Sequence, residues 1–266
     1  MNTTKKLMTL LLAMLAMSLL TACNKDDESD HKQKFTYVIN NRACRNGVVV
    51  FSQGTAEVEI TFHSRTAMRT IKITSTYKDI DGQSRTLTTP EIEMPSAYGS
   101  PVSVYSYSTT DNLGDGARNL SGGIDIQTGT MRYTFQQDDY TIVCTTHLLF
   151  NNVITSIIDP MGASINTNMS SYLFMLDSNA KTCVMQISNF IPGVNGGVQS
   201  EVVKYNGLKV TVTDQGYVIK GDEAKATQGS FYDLTNVDIT IDRDCSHFSG
   251  SFNTKVSRHE FSGDLF

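Results

Sequence analysis

Residues 56–62 read AEVEITF, an unbroken alternation of apolar and polar side chains. A period of two is typical of a β-strand that packs one face on a core and exposes the other to water. Residues 70–77, TIKITSTY, repeat the alternation, and the turn sequence DIDG at 79–82 connects them to a further strand over 84–88. This order of strand, turn and strand predicts a hairpin within an antiparallel sheet.

The same kind of pattern recurs along most of the chain. Short alternating or apolar runs, separated by turn sequences, predict further strands over residues 102–107, 123–126, 131–135, 140–150, 172–176, 181–190, 208–213, 216–220, 237–242, 247–253 and 256–261. No segment has the periodicity of an amphipathic helix of three turns. These features predict an all-β protein with two antiparallel β-sandwich or calycin-like barrel domains in tandem.

The turn sequence DPMG at residues 159–162 interrupts the series of strands and suggests a domain boundary nearby. We therefore predict a first β domain over residues 35–152 and a second over residues 153–266. Both predicted lengths fall within the usual range for single domains.

The two predicted domains also share a weak sequence similarity. The tripeptide IDI at 124–126 matches VDI at 237–239, an offset of 113 residues, and at the same offset Phe135 meets Phe248. Alternating β sequences match one another by chance, so duplication of one domain is a hypothesis at this point.

The N-terminus has the three parts of an export signal. Lys5 and Lys6 precede an apolar stretch over residues 7–20, which ends in the tetrad LTAC at 20–23. About fourteen apolar residues suit a secretory signal, whereas a membrane-spanning helix needs roughly twenty. The tetrad resembles a lipobox, the cleavage and acylation signal of bacterial lipoproteins. That resemblance implies a signal peptide over residues 1–22 and attachment of lipid, such as palmitate, to Cys23.

The segment after Cys23 is acidic at its start and polar throughout. Residues 24–28 read NKDDE, and residues 24–34 contain no apolar side chain. Such a stretch buries too little surface to offset its ordering entropy, so residues 23–34 are predicted to form a flexible acidic tether. The acidic run resembles the export signal of Bacteroidetes surface lipoproteins of the gut Bacteroides type. This resemblance implies a lipid anchor in the outer membrane with the protein on its extracellular face.

The net charge of the chain narrows the classes of partner that it is expected to bind. The formal net charge of the whole chain is −5, and removal of residues 1–22, with two lysines and no acid, makes it −7. Nucleic-acid affinity comes mostly from Lys and Arg contacts to phosphate, so we expect no nucleic-acid partner. The expected partners are the membrane, through the N-terminal lipid, and a glycan, peptide, protein or small apolar ligand.

Four cysteines remain if Cys23 carries lipid: Cys44, Cys144, Cys183 and Cys245. An oxidising compartment permits two disulfides among them, with three connectivities. The alternative is four free thiols packed as small apolar groups, and the spacing favours it because it resembles no disulfide-dense scaffold. The sequence has no CxxC pair, so a zinc ribbon or a redox dithiol is not expected.

Metal and catalytic motifs are weak or missing in the sequence. His247 and His259 lie on two strands of a predicted hairpin and are weak metal candidates, because a zinc site needs three or four convergent ligands. No GxSxG elbow, P-loop or dinucleotide fingerprint is present. We therefore expect no cofactor and no enzymatic activity, with a hydrolase whose site the sequence does not reveal as the less favoured alternative.

A tyrosine-rich stretch is the best candidate for ligand contact. Tyr105 and Tyr107 share one face of a predicted strand, and Tyr98 lies just before it. That face is either an exposed platform on which a sugar stacks or part of the core. The function expected from the sequence is a non-catalytic, membrane-anchored binding lipoprotein. A structural or accessory subunit of an outer-membrane assembly is the alternative.

Overall fold

The computed structural model describes residues 30–95, 103–179, 181–199 and 202–265. Within these ranges the regular structure is seventeen strands and one 3-10 turn, Ser230–Tyr232. The prediction of an all-β protein is therefore confirmed. The described ranges contain no helix with the length and hydrophobicity needed to cross a bilayer.

The first nine strands form one antiparallel sheet, which we call the N-terminal sheet. Its spatial order is β4-β3-β2-β1-β9-β8-β7-β6, and β5 pairs with β3 beyond the end of β4. The strands are β1 (His31–Arg45), β2 (Val48–His63), β3 (Met68–Lys78), β4 (Ser84–Thr88), β5 (Ile92–Glu93), β6 (Val104–Asn112), β7 (Ala117–Asp125), β8 (Thr130–Gln137) and β9 (Tyr140–Thr145).

The last eight strands form a closed barrel, which we call the C-terminal barrel. Each strand pairs with the next, and the last pairs with the first, so the barrel has up-and-down order. The strands are β10 (Leu148–Ile158), β11 (Ser164–Asp177), β12 (Thr182–Ser188), β13 (Val203–Thr213), β14 (Gly216–Ala224), β15 (Leu234–Ile241), β16 (His247–Asn253) and β17 (Arg258–Asp264). The barrel alternative of the prediction holds for this half.

The N-terminal sheet has the same up-and-down order but is open at one seam. Its fourth strand is broken into β4 and β5, with Thr89, Pro90 and Glu91 between them. Thr89 still exchanges two bonds with Ile73, one to the Ile73 carbonyl and one from the Ile73 amide to its own hydroxyl, both 2.9 Å long. Pro90 has no N–H to donate to a ladder, and proline within a sheet is found on edge strands such as this one.

A cationic side chain bridges the seam on the inner face of the sheet. The Arg69 guanidinium on β3 lies 5.4 Å from the centre of the Phe62 ring and 5.0 Å from that of Tyr105 on β6. These cation–π contacts connect β3 to the far edge strand, to which no backbone ladder from β3, β4 or β5 is formed among the described residues.

The predicted domain boundary was wrong by a few residues. Strand β10 runs through residues 152 and 153, and the chain passes from sheet to barrel between Thr145 and Leu148. The DPMG sequence forms the β10–β11 turn instead of a linker. The actual linker, Thr146 and His147, carries no glycine or proline, so turn chemistry does not mark it.

The start of the folded part was also predicted too late. Strand β1 begins at His31, four residues before Phe35, so residues 31–34 belong to the sheet. Lys32 and Lys34 both form ion pairs with Glu59 on β2, at 2.8 and 3.0 Å. Cross-strand charge pairs of this kind stabilise residues 31–34 of β1, which have no apolar side chain to bury. Residues 1–29 lie outside the described ranges, so the signal peptide, Cys23 and most of the predicted tether lie there too.

The topology bears on the duplication hypothesis. If β4 and β5 are counted as one broken strand, β7 and β15 are both sixth in their up-and-down order, and β8 and β16 are both seventh. The matched pair Ile124 and Val237 lies on the sixth strands, and Phe135 and Phe248 lie on the seventh, all four buried. The shared strand positions support common descent, which stays a hypothesis.

The interior of the C-terminal barrel is filled by side chains. Aromatic rings from strands that are not direct neighbours pack on one another inside it, with ring centroids 4.3 Å apart for Phe150 on β10 and Phe248 on β16 and 4.9 Å apart for Tyr172 on β11 and Phe261 on β17. Eight-stranded barrels of this kind are just wide enough for side chains to fill them. The barrel thus shares closure with the calycins, but its described interior is a packed core, which argues against a small apolar ligand inside it.

Sheet and barrel are joined around Arg42 of β1, which is only 2% exposed. Its Nη1 donates to the Thr213 carbonyl at 3.1 Å, and its Nη2 donates to the Arg243 carbonyl. The same guanidinium lies over the Tyr217 ring, 5.3 Å from its centre. Phe51 of β2 adds an edge-to-face contact with Tyr217. One arginine of the sheet therefore satisfies carbonyls at the ends of two separate barrel strands.

We expect Arg42→Ala to lower the free energy of unfolding by about 2–4 kcal/mol, because two carbonyls at the junction lose their donor and a void opens beside Tyr217. Calorimetry should also show sheet and barrel unfolding in separate steps. Arg258→Ala is the control, since Arg258 is exposed and its ion pair with Glu260 is worth about 1 kcal/mol or less. An unchanged single transition in Arg42→Ala would contradict this role.

We expect Gly122→Ala to lower the free energy of unfolding by about 1–3 kcal/mol. A Cβ at Gly122 would lie 2.6 Å from the Arg132 carbonyl and 2.8 Å from the Tyr107 ring, so β7 or the ring must shift. Gly197→Ala is the matched control, because a Cβ there has no neighbour within 4 Å. Urea denaturation of both variants checks the difference, and equal stabilities would refute the packing argument.

Candidate functional site

The tyrosine platform predicted from the sequence is not exposed. Tyr105 and Tyr107 of β6 are both buried in the core of the N-terminal sheet. The Tyr107 ring packs over Gly122, and the Tyr105 ring packs against Arg69. Period-two alternation identifies a face but not whether that face is inner or outer. Tyr98 lies outside the described residues, and the stacking prediction is wrong for the other two.

His247 and His259 do lie on the predicted hairpin, β16 and β17, but they do not converge. His247 is level with Asp264 and His259 with Phe252, so the two imidazoles are five residues apart along the ladder. His247 is exposed and bonds Asp264 at 2.7 Å, whereas His259 is buried inside the barrel. The described residues contain no group of three side chains suited to hold a metal ion.

The cysteines Cys44, Cys144, Cys183 and Cys245 are all free thiols. Cys44 lies opposite Thr141, three residues from Cys144 along β9, and Cys183 and Cys245 lie in different parts of the barrel. The disulfide alternative is therefore not formed. Burial raises the pKa of Cys144, Cys183 and Cys245 to about 12, so these thiols are weak nucleophiles.

A chain of three polar groups connects the first described residue to the β2–β3 hairpin. The Asp30 carboxylate lies 2.9 Å from Nδ1 of His63, and Nε2 of His63 lies 3.1 Å from the Thr70 hydroxyl. This order of acid, imidazole and hydroxyl is that of a nucleophilic triad. Thr70 is buried, however, and none of the depressions found on the surface includes it. The bonds also fix the start of β1 to the hairpin.

The surface depressions are shallow and polar. The one on the outer wall of the barrel, about 550 Å³, is lined mostly by small and charged side chains of β10, β15, β16 and β17, among them Ser249, Gly250, Ser251 and Glu260, together with the exposed Ile154. Its one aromatic, Phe261, is buried. Sugar binding by stacking needs an exposed aromatic face, and this depression offers none.

The two ends of the C-terminal barrel differ in their surroundings. In up-and-down order, successive connections alternate between the ends of a barrel. The β13–β14 and β15–β16 turns lie against the N-terminal sheet through the Thr213 and Arg243 carbonyls. The four connections at the opposite end are residues 159–163, 189–202, 225–233 and 254–257. We call this opposite end the free end.

Each of the four connections at the free end carries an exposed apolar side chain. Met161 is 95% exposed, Phe231 51%, Val256 46% and Val198 42%. Single exposed apolar residues are common on any surface, but one on every connection at one end of a barrel is a pattern. We call these four side chains the apolar tips. Sequence reasoning missed them because they lie in turns, outside the strand periodicity.

Hydrogen bonds hold the connections that carry the tips. Thr254 Oγ1 donates to the Pro192 carbonyl at 2.9 Å, and Gln228 Nε2 donates to the Val202 carbonyl at 2.7 Å. Tyr205 Oη donates to the Tyr232 carbonyl at 2.8 Å, next to Phe231. A partner that binds the tips therefore pays little ordering entropy for them.

Charges at the free end are satisfied within it. The Asp159 carboxylate accepts the amides of Met161 and Ala163, both at 2.9 Å. The Ala226 amide and Lys225 bond Asp233, and together they lower the pKa of its carboxyl. Among the described residues of the four connections, Lys255 is the one cation outside an ion pair. The free end is thus a nearly neutral surface with apolar tips.

Comparison with known proteins gives no relative from which a role can be transferred: neither models of known protein families nor the curated proteins match the chain. Function must therefore be argued from the surfaces described above.

We expect the barrel to lose stability as the pH falls, because of His259. Burial between Phe190 and Phe252 lowers its pKa from 6.5 to about 4. Between these values the unfolded chain binds the proton and the folded chain does not, so the free energy of unfolding falls by up to about 1.4 kcal/mol per pH unit. His259→Phe should remove that part of the slope in urea denaturation.

The control for this pH dependence is His31→Gln, which changes an exposed histidine and should keep the wild-type slope. Equal slopes for wild type and His259→Phe between pH 6.5 and pH 4 would contradict the assignment to His259.

Proposed function

We propose that the chain is a lipid-anchored, non-catalytic binding lipoprotein of the outer membrane that holds a protein partner through the free end of its C-terminal barrel. The apolar tips Met161, Val198, Phe231 and Val256 are the observation that carries the proposal. It favours an accessory subunit of a surface assembly over a receptor for a small ligand.

A protein partner fits the free end better than the other ligand classes. The packed barrel interior argues against a small apolar ligand, and the buried tyrosines argue against a stacked sugar. Membrane-surface binding usually combines apolar residues with several cations, and the free end offers one unpaired lysine. Protein interfaces are depleted of charge at their centre and enriched in aromatic anchors and Met, which Phe231 and Met161 supply.

The proposed anchor suits this arrangement. Seven residues separate Cys23 from His31, so a fully extended linker spans at most roughly 29 Å over eight steps. Strand β1 rises about 3.3 Å per residue away from that point. Arg42, where the barrel docks, is eleven residues along β1, or roughly 36 Å farther. The barrel therefore docks on the half of β1 remote from the lipid.

The anchor is tested in cells of a Bacteroidetes host fed labelled palmitate. The wild-type chain should take up label and need detergent for release, and Cys23→Ala should do neither. An unlabelled wild-type chain that washes off in buffer would end the anchor proposal.

The binding surface is tested in the same cells with a photo-reactive analogue in place of Phe231. We expect one discrete cross-linked protein that disappears when Met161→Ser and Val256→Ser are added. The matched control is the same analogue in place of Met68, an exposed apolar residue of the sheet, which should not yield that adduct. Identical adducts at both positions, or none at 231, would refute the surface. If the Cys23→Ala chain instead floated with neutral and anionic vesicles, the surface would be reassigned to lipid binding.

One observation favours a second function. The Asp30–His63–Thr70 chain has the connectivity of a hydrolase triad at hydrogen-bonding distances. A fluorophosphonate probe that labels the full chain, but not Thr70→Val, would support it. If the protein is a non-catalytic binding protein, the probe should label neither the full chain nor Thr70→Val.

A further inference from the structure

A second cleft lies where the N-terminal sheet meets the C-terminal barrel. It has a volume of about 320 Å³, and both bodies contribute to its wall. Arg45 at the end of β1 and Asp139 in the β8–β9 turn line it from the sheet. Asp214 in the β13–β14 turn and Arg243 in the β15–β16 turn line it from the barrel. Ligand sites occur preferentially at such junctions between domains.

The cleft is lined by two basic and two acidic side chains, of which one of each forms an ion pair. Arg45 and Asp139 form an ion pair at 3.0 Å. Arg243 and Asp214 make no ion pair with any described residue, although both line the same cleft. The barrel wall thus offers one free guanidinium and one free carboxylate. The first matches a carboxylate by bidentate bonding, and the second matches an ammonium group.

The barrel wall of the cleft is fixed from the sheet side by Arg42. Its guanidinium bonds the carbonyl of Arg243 itself and the carbonyl of Thr213, which directly precedes Asp214. The turns are also braced internally. Asp242 accepts the Ser246 amide at 2.8 Å, and Thr213 Oγ1 accepts the Gln215 amide at 3.2 Å. A site on such supported turns keeps its geometry before a ligand arrives.

We propose that this cleft binds a small zwitterion, with its carboxylate on Arg243 and its ammonium group on Asp214. The volume lies at the low end for ligand sites and suits a free amino acid or a very short peptide. A purely anionic ligand would meet two carboxylates, and a purely cationic one would meet two guanidinium groups. Arg42 acts as a positioning residue, because it holds both turns without lining the cleft.

The test is titration of the detergent-solubilised full chain with glycine and with glycylglycine, followed by calorimetry. We expect saturable binding of at least one of them at or below about 10 mM, weakened at least about tenfold by Arg243→Gln and by Asp214→Asn. Binding of glycine alone identifies an amino-acid site, and binding of glycylglycine alone identifies a peptide site. The matched control is Arg258→Gln, an exposed arginine of the same barrel, which should bind like wild type.

Modified probes test the two charges separately. N-acetylglycylglycine lacks the ammonium group, glycylglycine amide lacks the carboxylate, and each should bind at least about tenfold more weakly than glycylglycine. Equal binding of the modified and unmodified probes, no binding of either zwitterion, or binding that survives both substitutions would overturn the proposal. None of these outcomes involves the free end, so failure here leaves the proposed protein-binding surface standing.

Discussion

The buried guanidinium of Arg42 is the interaction on which the arrangement of the molecule depends. It is a charge taken out of water that forms no ion pair with any described residue. Two carbonyl oxygens and one ring face replace part of its hydration, and its buried Nε has no hydrogen-bond partner among the described residues. Burial of a charge costs several kcal/mol unless such groups are in place. Strand β1 and two turns of the barrel must therefore meet in one geometry, which also shapes the cleft and sets the direction of the free end.

The N-terminal sheet and the C-terminal barrel share one strand order but differ in closure. In the barrel, the fourth strand, β13, is one element that pairs on both edges, and the closed sheet surrounds an apolar core rich in aromatic rings. In the N-terminal sheet, Pro90 breaks the fourth strand, and the seam is bridged by side chains such as Arg69. Pro90 has no N–H to donate, so one ladder bond to a neighbouring strand is missing at this position.

The side chains that we propose to bind ligands lie on the connections between strands. Most apolar side chains of the barrel strands are buried, although Ile154 and Met169 are exposed, and the turn aspartates Asp159 and Asp233 accept hydrogen bonds from amides of their own loops. What remains at the free end is apolar and nearly uncharged. At the opposite end, the turns keep Asp214 and Arg243 unpaired beside the sheet. The two ends thus differ in their chemistry, and the two surfaces that we propose for binding do not overlap.

Local pattern determined the all-β class, the tandem arrangement and most strands, because alternation of apolar and polar residues is a property of neighbouring positions. The same local pattern placed the domain boundary near DPMG, whereas the linker is Thr146 and His147. It also assigned Lys32 and Lys34 to the tether, because the carboxylate that pairs with them, Glu59, lies on another strand. Only the tertiary structure decided that Tyr105 and Tyr107 face inward, that His247 and His259 point apart, and that Arg42 joins two bodies. Each of these depends on sheet curvature and closure, which bring together residues as far apart as Arg42 and Arg243, and no spacing along the chain encodes that contact.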